Sequence, residues 1–347
     1  MVRKLSSAYP AAEREPVVDD LHGHRVADPY RWLEDPADPR TRRWQAAQDN
    51  LWLNEASGLA ARDRFRSRVA ELSSVGLVTP PTWRGDRHFF LRRSQEQDHP
   101  VLVLAGHDGD EQVLIDPMTL DPSGRTTLDQ WQPSPGGDLL SFQLSRGGDE
   151  QAALYVMDVR TGQLVDRPID RCRYSPVAWL PDGQSFYFVR SRQLHLHQVG
   201  NPNDVVVLDS TASYGVEISP DGQWLTISAT RGAANDLWLA DLRKSTPEQP
   251  KLTVVQEGVA ARSVATVCRD GYLYVVTTLG ADCGRICVGD PERPEPEQWQ
   301  ELVPEDPEAP VSQVGFLDGP RLDRPLLLVG RSRQALGEIA VHDLSTG

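Results

Sequence analysis

The chain has 347 residues and a mass of 38.6 kDa, room for one large domain or two ordinary ones. Hydrophobic residues make up 39% and charged residues 25%, a balance that excludes wholesale disorder. The formal net charge of -14 argues against nucleic acid or an anionic membrane as partner, since both demand an excess of Lys and Arg.

The N-terminal stretch MVRKLSSAYPAAEREP carries basic residues with no apolar run behind them, so it does not read as a secretory signal. No run of about 18 apolar residues occurs anywhere, which excludes an ordinary transmembrane helix. Four cysteines (Cys172, Cys268, Cys283, Cys287) without a secretory signal are expected to be reduced thiols in a cytoplasmic protein.

Two regions differ in periodicity: an extended and helical segment over 1–78 and a β-rich region over 79–347. In the first, VVDDLHGHRVADPYRWLEDP is too rich in Pro and Gly for a long helix, and its Tyr30, Trp32 and Leu33 need packing partners. Asp38-Pro39 opens a helix, with Asp accepting orphan amide hydrogen bonds and Pro at the first helical position. Trp44, Ala47 and Leu51 then share one face, and Gly58 supplies a stop. Phe65, Val69 and Leu72 mark a second helix, ended by Gly76 and Pro80-Pro81.

Beyond residue 79, short apolar runs are punctuated by Gly, Asp and Pro, and they repeat. WLPDGQSFYFV (179–189) parallels ISPDGQWLTIS (218–228), and both resemble QPSPGGDLLSFQL (132–144). Weaker copies are CRDGYLYVVTT (268–278) and FLDGPRLDRPLLLVG (316–330). The turn glycines Gly137, Gly183, Gly222, Gly271 and Gly319 lie 46, 39, 49 and 48 residues apart. A second element follows each turn, as in ALYVMDVRTG (153–162), LHLHQVG (194–200), DLWLADL (236–242) and IAVHDLSTG (339–347).

Asp-Gly adopts the positive backbone angles of tight turns, and β-formers on both sides make hairpins. A unit of about 40–50 residues cannot bury both its faces alone, so stacking around an axis is expected: a β-propeller. Five complete blades are expected, the first beginning near Trp83, with a partial sixth starting near Val314 and ending after its third strand at Gly347. An open strand edge is a pairing hazard, so the chain reads as cut rather than finished.

On these residues a family resemblance can be stated. The stretch 9–48, above all Val18 to Gly23, Asp28 to Asp35 and Trp44 to Gln48, resembles the N-terminal segment of the prolyl oligopeptidase family of serine peptidases. CRYSPVAWLPDGQSFYF (172–188) is similar to a blade segment of that family, and EQWQELVPEDPEAPV (297–311) through IAVHDLSTG to its late propeller sequence. The resemblance implies a seven-bladed propeller that caps an α/β-hydrolase domain and restricts cleavage after proline to short peptides. It also implies that the N-terminal segment packs on the hydrolase domain, and that Tyr174 matches an aromatic facing the substrate. A blade-edge aromatic filling local space is the alternative for Tyr174.

The sequence departs from the family at the chemistry. No G-x-S-x-G nucleophile elbow occurs, so no catalytic residue is assigned and the chain by itself is expected to be inactive. His195 and His197 share a strand face, but no local carboxylate or thiol spacing completes a metal site. His22 and His24 are read as turn or packing residues, and Cys283, Cys287 and Cys268 as free thiols. GGDE (147–150) and GPRL (319–322) lack the residues of a phosphate loop, and Asp at turns requires no calcium. No cofactor or metal is expected. Three roles follow: the gating propeller of a peptidase whose hydrolase domain lies in cis, a stand-alone peptide- or protein-binding propeller, or half of a split enzyme with the hydrolase in trans.

Overall fold

In the computed structural model, residues 9–107, 109–149, 151–209, 212–317 and 326–344 are described. The basic residues Arg3 and Lys4, Glu150 of GGDE, the Gly319 turn with GPRL, and residues 345–347 lie outside them. The chain divides into two units at Val75/Gly76. The division falls before 78/79 because Leu77 and Val78 pair with Arg93 and Arg92, which places them in the first sheet of the second unit.

The first unit opens with a hairpin, Val18–Leu21 against His24–Ala27. His22 and Gly23 both take positive φ (54° and 82°) in its turn, and the Gly23 amide donates to Asp20 Oδ1 at 2.9 Å. Helix α1 (Pro39–Ser57) begins where Asp38 accepts from the Arg40 amide at 2.7 Å, and ends at Gly58. Trp44, Ala47 and Leu51 form its half-buried face. Trp32 anchors the unit: its indole N–H donates to the Glu13 carbonyl at 2.9 Å, and its own carbonyl accepts from Thr41 Oγ1 at 2.7 Å. Helix α2 (Arg62–Ser73) carries Phe65, Val69 and Leu72 on one face, and all three are exposed.

The second unit is a β-propeller of six antiparallel meander sheets, termed blades 1–6 in chain order. Blade 1 orders Leu77–Val78, Arg87–Arg93, Val101–Ala105 and Glu111–Ile115, with Thr82–Arg84 also pairing the second of these. Blade 2 holds Thr126–Pro133, Leu139–Arg146 and Ala153–Asp158. Blade 3 holds Val177–Trp179, Ser185–Arg190, Gln193–Gln198 and Val205–Asp209. Blade 4 holds Ser213–Ile218, Trp224–Arg231, Ala234–Asp241 and Thr253–Gln256. Blade 5 holds Ser263–Val267, Leu273–Thr277, Arg285–Gly289 and Gln300–Val303. Blade 6 holds Val311–Leu317, Leu326–Arg333 and Leu336–Asp343.

The count of five full blades and a partial sixth therefore changes in detail. Blade 2 has three regular strands, and only the bridges Leu154↔Ile169 and Met157↔Leu164 stand at its fourth position, because the segment leaving Asp158 turns at once through Gly162.

The turn glycines Gly137, Gly183, Gly222 and Gly271 all have positive φ (72°, 63°, 74° and 83°), which is what fixes glycine there. The apolar faces meet between blades. Phe89 and Leu102 of blade 1 pack with Leu140 and Phe142 of blade 2. Leu154 and Val156 of blade 2 meet Trp179, Phe186 and Phe188 of blade 3. Tyr187 and Leu194 of blade 3 meet Leu225 and Ile227 of blade 4, Leu237 and Leu239 meet Leu273 and Val275 of blade 5, and Tyr274 and Ile286 meet Leu327 and Val329 of blade 6.

One turn does more than reverse the chain. A Cβ on Gly222 would lie 1.9 Å from Pro181 Cγ in the turn of blade 3, whereas one on Gly183 would meet nothing within 4 Å. Gly183→Ala should thus cost about 1 kcal/mol for its left-handed backbone alone. Gly222→Ala adds a collision and should cost about 3 kcal/mol. Urea unfolding of the two variants checks this, and equal losses would refute the contact between turns.

Candidate functional site: a channel lined by the innermost strands

A cavity of about 750 Å³ is lined in blades 2–4 by the first strand and the turn after it, in blade 1 by Thr82–Arg84 and its turn, and in blade 5 by the turn after the first strand. That volume lies in the range of small-molecule and peptide sites. Trp83 and Arg84 line it from blade 1, Gln132 and Pro135 from blade 2, and Trp179 and Pro181 from blade 3. Blade 4 contributes Glu217, Ser219 and Asp221, and Arg269 reaches it from blade 5. The Ser-Pro and Leu-Pro steps before the glycine turns explain the prolines here: the turns that close each inner hairpin gather at this end of the channel.

Three lining groups have distinct electrostatic situations. Arg84 spends its donors on main-chain carbonyls, with Nε to Ser134 at 3.0 Å and Nη1 to Trp83 at 2.8 Å, and burial lowers its pKa. Asp221 accepts from Ser219 Oγ at 2.5 Å and lies 3.7 Å from Arg243. Glu217, on Ser213–Ile218, is open to solvent yet ringed by protein. Burial raises its pKa, opposed by the Thr266 hydroxyl, which donates to Oε1 at 2.8 Å. Among the described residues no cation pairs with it.

A second cavity of about 170 Å³ lies between blades 2 and 3 and shares Gln132 and Val177 with the channel wall. There Gln143 donates to the Ser175 carbonyl at 2.6 Å, while its Oε1 is buried with no protein partner. A buried acceptor of this kind calls for a bound donor such as water.

The residues singled out from sequence are dispersed. Tyr174 is 63% exposed, with the Arg173 guanidinium 5.1 Å from its ring centroid and a left-handed φ of 51°. It does not line the channel cavity; its neighbour Ser175 is buried and accepts from the Val189 amide at 2.7 Å. His22 and His24 belong to the first unit's hairpin. None of the four cysteines forms a disulfide, and burial pushes the Cys172 thiol up to about 12 and raises that of Cys287.

His195 and His197 share a face of Gln193–Gln198 but differ in state. Burial lowers the pKa of His195, whose ring nitrogens lack hydrogen-bond partners and whose ring stacks on Phe188 at 5.3 Å. His197 lies between two carboxylates, with Nδ1 2.8 Å from Asp204 and Nε2 3.2 Å from Asp166. Carboxylates only accept, so both ring nitrogens must donate and His197 is an imidazolium. Burial opposes that charge, but the bonds to Asp204 and Asp166 outweigh it and raise the pKa. Asp166 follows the last strand of blade 2 and Asp204 precedes the last strand of blade 3, so the ion bridges two blades.

The local chemistry defines a β-propeller with a cavity of mixed charge. Comparison with known proteins supplies the family: the description "Prolyl oligopeptidase, N-terminal beta-propeller domain" matches residues 9–347, and the chain belongs to this family. Among curated relatives, the prolyl endopeptidase of Elizabethkingia meningoseptica is 23% identical over 318 residues, covering 86% of this chain and 44% of the relative. The dual-function macrocyclase-peptidase of Galerina marginata is 24% identical over 361 residues, covering 88% and 48%. A solved prolyl endopeptidase superposes with TM-score 0.84 at 30% identity, over 97% of this chain and 51% of the other. Oligopeptidase B of Leishmania major, at 17% identity and TM-score 0.80 over 99% and 53%, shares the fold. The chain spans about half the length of the relatives it matches.

The His197 bridge has a definite pH signature. Its folded pKa is raised above the ordinary 6.5, so its stabilisation is complete below that value and fades as pH rises through the folded one. His197→Gln strands buried carboxylates and should cost about 3 kcal/mol at about pH 6. The gap between parent and variant should narrow by about pH 9. Denaturant melts at both pH values check this, and a constant gap would exclude the imidazolium.

Proposed function

We propose that this chain is the propeller portion of a prolyl oligopeptidase-like serine endopeptidase that cleaves short peptides after proline. It gates access by size and leaves bond cleavage to an α/β-hydrolase domain, in cis or in trans. The observation that carries this reading is the cavity of about 750 Å³ lined by five blades, a volume of the order that takes a small ligand and far below that of a folded chain. Family membership supports the peptidase context.

Uncovered apolar surface supports the domain partner and the seventh blade. In the first unit, Phe65, Val69 and Leu72 of α2 present a face of the kind that packs on another domain. In blade 6, Leu336, Ile339 and Val341 are exposed on the last strand, where a fourth strand and a seventh blade would cover them. The same faces count against a stand-alone binding propeller, which would have to leave them in water. A cytoplasmic setting completes the reading, supported by four cysteines that form no disulfide. No described helix is long and apolar enough to cross a membrane.

Tyr174 is the proposed substrate contact. Its exposure and its left-handed backbone, which costs a non-glycine residue about 1 kcal/mol, fit a side chain held out for a ligand.

The purified chain should release no product from a Gly-Pro amide substrate; turnover by the chain alone would overturn the division of labour. In the protein that includes the hydrolase domain, Tyr174→Ala should raise KM for longer peptides about fivefold with kcat little changed, the loss of one aromatic contact. Unchanged kinetics would leave Tyr174 a blade-edge packing residue.

A further inference from the structure

We propose that Glu217 is an ammonium-recognition point in the channel wall, which takes the free amino terminus of a short peptide. The inference rests on the gating reading and adds the chemical class of what is admitted.

Glu217 is a carboxylate set inside a concave site rather than on an outer surface, on the innermost strand of blade 4. Its Oε1 is held by the Thr266 hydroxyl of the innermost strand of blade 5, which fixes the rotamer across the blade seam. Its Oε2 accepts from no described protein donor, and no described Lys, Arg or His is bridged to it. A carboxylate in a concave site with no described counter-ion draws a cationic ligand by its field.

The shape of the acceptor selects the cation. With one oxygen already engaged, the group offers a single point of charge, which suits an ammonium; a guanidinium would want both oxygens in its planar fork. The charged groups facing the same cavity narrow the choice further. Arg84 on blade 1 and Arg269 on blade 5 line it, and Asp221, on the turn of blade 4, is engaged with Ser219 and Arg243. Among the described residues no histidine lines it. Two arginines repel a polycation, while a ligand with one ammonium and a carboxylate at its other end meets both signs. A short unblocked peptide has that charge pattern, and Trp83, Pro135 and Pro181 supply apolar wall for its side chains.

The test is calorimetric titration of the purified chain at about pH 7.5 with the tripeptide Ala-Gly-Pro and with its N-acetyl form. The free peptide should bind about tenfold tighter than the acetylated one. Glu217→Gln should remove that preference, and Thr266→Val, which keeps the carboxylate, should retain it. Thermal melts of both variants close to the parent would show that folding is intact. On acidification the preference should also shrink as Glu217 takes up a proton, and because its pKa is raised this should begin above the usual carboxylate range. Equal affinity for the free and acetylated peptides, or a preference that survives Glu217→Gln, overturns the assignment. If both forms bind equally but a longer proline peptide binds less well, the ammonium point falls and size gating stands; if no peptide binds, both fall.

Discussion

The constraint on which the second unit depends is that each of its sheets is apolar on both faces. In blade 3, Tyr187 and Leu194 look toward blade 4, while Phe186, Phe188 and Trp179 look toward blade 2. Such a sheet cannot stand alone or present one face to water. It must be sandwiched, and so must its neighbours, which turns a row of meanders into a ring. Burying one large side chain contributes roughly 2 kcal/mol, so each seam, with its several fully buried residues, outweighs any single hydrogen bond within it. Sheets arranged radially come closest together near the axis, where the edges of their first strands face one another across a central space. The channel is the space they cannot fill.

Polar links then set the register between blades. The Trp179 indole N–H donates to the Gln132 carbonyl at 3.1 Å, and the Tyr187 hydroxyl reaches the Pro247 carbonyl at 2.8 Å. At the next seam Asn235 of blade 4 exchanges two hydrogen bonds with the main chain of Ser263, whose hydroxyl donates to Gln256. Buried groups of this sort are costly if mispaired. They therefore discriminate against sliding one blade along another, which apolar packing alone tolerates. The His197 ion is the charged version of the same device.

What could be read from the amino acids followed the range of the interaction. The turns were legible because positive φ forces glycine locally, as at Gly183 and Gly222, and the α1 start because Asp38 caps an amide two residues away. The family resemblance rested on such local motifs, and the family match over 9–347 agrees with it. The seams and the site were not legible. Asp166 lies 31 residues from His197, and Thr266 lies 49 residues from Glu217. Nothing in L-H-L-H distinguishes the neutral His195 from the charged His197. The one local trace of Glu217 was a carboxylate in the otherwise apolar and small run Y-G-V-E-I, at a position where an innermost strand faces the axis.

The exposed apolar faces and the channel wall obey the same rule with opposite outcomes. On α2 and on the last strand of blade 6, large apolar side chains meet water, a condition that favours association with another protein surface. Along the channel, apolar residues alternate with Arg84, Glu217, Ser219 and Asp221, each held by a side chain or carbonyl of its own or an adjoining blade. A wall of that composition stays hydrated when empty and yields its water to a ligand of matching charge. The first kind of surface suits lasting contact with another protein surface, and the second suits a ligand that comes and goes.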